Sequence, residues 1–133
     1  MRTRIAFSLF GVTLTALVLG QGRSITHQPR VVNLEMHSNR YQPVLNGPPE
    51  SAGMESGMVT LEKNESVGKH QTKEYEELLI VLQGEGRMII AGQPPLSFRS
   101  PAAVYCPPRT EHDVQNAGNA PLRYVYVAAK TAE

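Results

Sequence analysis

The sequence predicts an all-β domain, a small barrel or a sandwich, on three observations. Short apolar runs recur at near-even spacing from Met58 to Ala129. Turn chemistry separates them, with Lys63-Asn64, Gly84-Glu85-Gly86, Gly92-Gln93-Pro94-Pro95 and Asn116-Ala117-Gly118-Asn119 as the breaks. No segment after Met58 carries an apolar stripe at helical spacing, and proline interrupts every stretch long enough for a helix.

In chain order, the first segment is not part of that domain. Arg2 and Arg4 precede an apolar run from Ile5 to Leu19, and Val18-Leu19-Gly20 offers a cut before Gln21. Residues 1–20 therefore read as a signal peptide, which places the mature protein outside the cytoplasm, secreted or periplasmic. An uncleaved anchor is the alternative, but the run is short for a membrane span, which needs roughly 20 apolar residues. Residues 21–57 read as an N-terminal arm and loop. Within it Arg30–Met36 alternates weakly, as a first strand would. Gln42–Gly57 holds Pro43, Pro48 and Pro49 with Gly47, Gly53 and Gly57, which predicts a long irregular connection.

Residues 58–130 form the expected barrel. Its strands are Met58–Leu61, Ser66–Thr72, Glu77–Gln83, Arg87–Ala91, Leu96–Phe98, Ala102–Cys106, Glu111–Gln115 and Leu122–Ala129. In Glu77–Gln83 the residues Leu78, Leu79, Ile80, Val81 and Leu82 are unbroken apolar. Such a strand needs cover on both faces, from the arm or from a second subunit. A homodimer is expected on that ground.

Composition narrows the partners. Thirteen basic residues balance twelve acidic ones, a net charge of +1 with no basic stripe, so nucleic acid is not expected as a partner. No stable membrane span is expected in the mature chain. Cys106 is the only cysteine, so no intramolecular disulfide exists and packing must hold the fold. Between Tyr105 and Pro107 in an apolar strand, it reads as a buried, inert thiol.

His70, Glu77 and His112 carry the chemistry. The first two lie in His70-x-Thr72-x4-Glu77-x6-Gly84, the third in Pro107-x-Arg109-x2-His112-x3-Asn116. Side chains alternate along a strand, so His70 and Thr72 share a face, as do Glu77, Leu79 and Val81, and as do His112 and Val114. If those faces look into one barrel, the three polar groups converge in an apolar cup. Two imidazoles and a carboxylate can hold a divalent ion and leave positions open. Arg109 and Glu111 are the charged residues expected near the mouth. Tyr105, Tyr124 and Tyr126 read as core or interface residues, and Asn116 as a turn residue.

These two motifs resemble those of the cupin superfamily over Val59–Ala129. His70, Glu77 and Gly84 fall in register with the first cupin motif, and Pro107, His112 and Asn116 with the second. The resemblance implies a double-stranded β-helix, a jelly-roll barrel. It implies that His70, Glu77 and His112 bind a divalent metal such as Fe, Mn or Zn, and that the ligand or substrate is a small molecule. Either a small-molecule metalloenzyme, dioxygenase- or isomerase-like, or a non-catalytic module for a sugar or organic acid would fit. The sequence departs from the pattern at Asn64, Pro101 and Arg109, each in place of a glycine. Thr72 stands in place of the second histidine of the first motif, which removes one imidazole from the expected ligand set.

Overall fold

The computed structural model describes residues 27–37 and 40–132. The expected signal peptide lies outside the described residues. Among them every regular element is a strand: β1 (Tyr41–Asn46), β2 (Met54–Leu61), β3 (His70–Gln71), β4 (Tyr75–Gln83), β5 (Glu85–Ile90), β6 (Leu96–Arg99), β7 (Ala102–Cys106), β8 (Glu111–Asn116) and β9 (Leu122–Lys130). A five-stranded sheet runs β1-β2-β9-β4-β7 and a four-stranded sheet β3-β8-β5-β6. All paired strands are antiparallel.

Two-residue alternation decides which side of each strand is buried. On β4, Glu77, Leu79 and Val81 face inward, while Leu78, Ile80 and Leu82 are each 38% exposed. Val59 and Leu61 of β2, Met88 and Ile90 of β5, and Val114 of β8 meet them in one core between the sheets. Each such side chain contributes roughly 1.5–3 kcal/mol when fully buried. The strands cross-connect the sheets so that β4, from the first motif, and β8, from the second, face each other across this core.

The elements before Met58 differ from the sequence expectation. Arg30–Met36 is irregular rather than a strand. Gln42–Gly57, expected as a loop, contains most of β1 and the first half of β2. Proline and glycine misled there for identifiable reasons. Pro43 falls where the β1–β2 register shifts, a place where a missing N–H is tolerated. Gly57 is required by packing: a Cβ there would come 2.6 Å from the Tyr41 ring and 3.0 Å from that of Tyr126. Ser66–Thr72 is also shorter than expected, reduced to His70–Gln71 with an isolated bridge between Ser66 and Gln115.

The departures from the glycine pattern sit on unusual backbone. Asn64 has φ 67° and Arg109 φ 57°, both left-handed. A glycine would adopt that region freely, and asparagine tolerates it better than arginine does. Gly84, which the motif keeps, has φ 85°, and a Cβ there would lie 2.5 Å from the Pro121 carbonyl oxygen. The motif glycine thus answers both a backbone and a packing need.

Candidate metal centre

Strand pairing brings the two histidines together. His70 of β3 lies directly opposite His112 of β8, and their rings are 4.4 Å apart at the centroids. Glu77, near the start of β4, reaches across from the other sheet, its Oε2 3.0 Å from His112 Nε2. One potential ligand atom from each of His70, Glu77 and His112 lies within 4.8 Å of the others. The three residues expected from the sequence are therefore the three that the fold gathers.

The surroundings orient both rings. His112 Nδ1 donates to the Thr110 carbonyl at 2.9 Å, and His70 Nδ1 donates to the Gly68 carbonyl at 2.9 Å. Each backbone acceptor fixes the tautomer and leaves Nε2 as the ligand atom, the usual outer support of a metal-binding histidine. His112 and Glu77 are buried, whereas His70 is exposed. Burial works against a charged His112. The hydrogen bonds that His112 donates to the Glu77 carboxylate and the Thr110 carbonyl, with the charges of Glu77 and Asp113, outweigh it, and the imidazole pKa is raised.

The donor set fits a divalent ion. Ligand atoms held about 2.0–2.2 Å from one ion are at most about 4.4 Å apart. The three ligand atoms lie within 4.8 Å of one another, close to that limit. Both nitrogens and the carboxylate are ordinary ligands for Zn, Fe or Mn.

Thr72 lines the same cavity, as its place two residues from His70 requires. Its hydroxyl donates to the Tyr75 carbonyl at 2.8 Å and shapes the turn into β4. Cys106 is fully buried, with Sγ 3.3 Å from His112 Nδ1. Burial and the neighbouring Glu77 push its thiol pKa up to about 11, so it stays protonated and unreactive at neutral pH. Asn116 is buried and donates to the Leu61 and Ala120 carbonyls, each at 2.9 Å, tying the end of β8 to β2.

The cavity measures about 280 Å³. Val59, Val67, Val114, Tyr124 and Ala128 give it apolar walls. Neither Arg109 nor Glu111 lines it: Arg109 is exposed on the loop, and Glu111 pairs with Lys69 at 3.4 Å. Glu55 and Tyr126 line it instead. Sequence reasoning missed Glu55 because it lay in the presumed loop. The signal was the alternation of Glu55, Gly57, Val59 and Leu61, which places all four on the inner face of β2.

A two-sheet barrel with motif residues from β3, β4 and β8 converging inside it defines the class. Residues 57–128 match the sequence profile described as the cupin domain, more than half of the chain. The chain belongs to the cupin family. An uncharacterised protein of Methanocaldococcus jannaschii is 27% identical over 99 residues, covering 74% of this chain and 72% of its own. Among solved structures, a Cupin 2 conserved barrel domain protein from Salinispora arenicola has a TM-score of 0.64 at 20% identity. It covers 78% of this chain and 92% of its own. A predicted oxalate decarboxylase from Thermotoga maritima has a TM-score of 0.54 at 18% identity, covering 68% and 92% respectively. At these identities the structural likeness concerns the fold.

Proposed function

We propose that this protein is an exported, single-domain metal-binding cupin that acts on a small molecule. His70, Glu77 and His112 are its metal ligands. The observation that supports this is their convergence, with both Nδ1 atoms held by backbone carbonyls. A bound divalent ion would supply Lewis-acid chemistry or a site for oxygen. The chain's own part is to hold three positions, leave the remainder to ligand, and surround that ligand with apolar walls. Thr72 in place of a histidine leaves one more position open than a four-ligand centre would.

The same threonine favours a second reading. Its hydroxyl is engaged with Tyr75, and three ligands hold an ion less tightly than four. A non-catalytic module that captures a sugar or organic acid, with a weakened metal site, fits that loss. Elemental analysis of purified mature protein, followed by oxygen-uptake assays on the metal-loaded form, separates the two. About one equivalent of iron or manganese with substrate-dependent uptake supports the enzyme. Absence of metal at any loading contradicts the metalloenzyme.

A further inference from the structure

The cavity above the proposed metal centre carries a charge pattern that restricts its ligand. Its described lining contains two carboxylates, Glu55 and Glu77, and no lysine or arginine. Glu77 is committed to His112. Glu55 is exposed on the inner face of β2, and among the described residues its carboxylate has no hydrogen-bond or ion-pair partner.

The aromatic residues beside it are held in place. The Tyr126 hydroxyl lies 3.1 Å from that of Tyr41, and the two rings stack at a centroid distance of 6.5 Å. The absent side chain at Gly57 makes room for both rings. Two hydroxyls share one mutual hydrogen bond, so one phenolic hydrogen is left to donate. Burial first, and then the contact with Tyr41 and the charges of Glu55 and Glu77, raise the Tyr126 pKa and keep the phenol neutral. The mouth therefore offers a negative acceptor in Glu55 and, in the Tyr126 ring, flat apolar surface.

We propose that Glu55 is a specificity-determining residue that selects a small ligand with a cationic nitrogen, or a neutral donor group, at the end remote from the metal. The opposite end of the ligand reaches the metal position beside His70 and Glu77, which line the cavity, while His112 is buried outside its lining; that half of the proposal rests on the metal-binding reading above. The volume of 280 Å³ corresponds to about nine waters of liquid volume, and so to a ligand on the order of ten non-hydrogen atoms. A divalent ion's charge is offset by Glu55 and Glu77 together. A small dianion therefore gains little net attraction on entry while losing its hydration, and its outer carboxylate meets Glu55. Small dicarboxylates are rejected.

Three catechols that chelate alike but differ in their tails test this: dopamine, 4-methylcatechol and 3,4-dihydroxyphenylacetate. Binding is measured by calorimetry on zinc-loaded and on chelator-stripped protein, wild type and Glu55→Gln. Metal content is read separately by elemental analysis. The expected order is dopamine, then methylcatechol, then dihydroxyphenylacetate, with about tenfold between the first and last, about 1.4 kcal/mol. The gap narrows in high salt. Glu55→Gln, an exposed and nearly isosteric change, collapses the order to within about twofold. Loss of metal with the order retained on stripped protein would sink the metalloenzyme and leave the role of Glu55 standing. Equal or tighter binding of the carboxylate, an order unaffected by Glu55→Gln, or no binding of any probe to either form would overturn the proposal.

Discussion

At the residue scale, the two histidines have different duties despite facing one centre. His70 is exposed and His112 is buried against Glu77. His70→Ala should abolish metal binding and change stability by no more than about 0.5 kcal/mol. His112→Ala should abolish metal binding and also cost about 3–5 kcal/mol, because it strands Glu77 as a buried, unpaired charge. Urea denaturation of both variants reads the difference; equal stability losses would contradict the paired burial. The raised pKa of His112 sets a pH dependence in metal-free protein. Its folded value lies above the ordinary 6.5, so the stability it contributes is full below 6.5 and is lost as pH rises through the folded value. Stripped protein should therefore melt lower as pH climbs through that window, and His112→Gln should flatten the slope. Metal should bind more weakly as pH falls through the same window, because His112 must give up its proton to become a ligand. Thr72→His should tighten metal binding, since position 72 lines the same cavity. Unchanged affinity would show that the new imidazole does not reach the centre. His70, Glu77 and His112 were legible in the sequence because their spacing survives two-residue alternation on short strands. Glu55 was not, because glycines at 53 and 57 mark both loops and tightly packed strands.

At the element scale, β4 was the plainest in the sequence, and β1 and the start of β2 the least. An unbroken apolar row bounded by Gly84 leaves little choice but a strand. A stretch containing Pro43, Gly53 and Gly57 has only its partners to define it: β1 pairs with β2, and β2 in turn with β9 at the far end of the chain. Non-local pairing of that kind leaves no local pattern to read. The turn between β4 and β5 offers a test of how firmly local geometry sets this register. Gly84→Ala meets both a left-handed backbone and the Pro121 carbonyl. It should cost about 1–3 kcal/mol by thermal or chemical denaturation. A neutral effect would mean that the β4–β5 connection relaxes freely.

At the scale of the whole molecule, the inner surfaces of the sheets are packed and one outer surface is not. Leu78, Ile80 and Leu82 on β4, with Tyr105 on neighbouring β7, present an apolar face with 38–54% exposure. The described part of the N-terminal arm does not bury it. A second copy of this chain would, and we predict a homodimer through that face. Light scattering of wild type against Ile80→Lys checks it: a dimer should become a monomer, and a wild-type monomer at high concentration would contradict the expectation. Export is tested by sequencing the N-terminus of secreted protein, expected near Gln21. The central claim, however, is that the barrel gathers His70, Glu77 and His112 in order to hold a metal. Crystals grown with zinc and measured at its absorption edge address that most directly. An anomalous peak is expected about 2.0–2.2 Å from His70 Nε2, His112 Nε2 and a Glu77 oxygen. An empty centre in zinc-saturated crystals, or a peak bound elsewhere with the His112–Glu77 hydrogen bond intact, would contradict it.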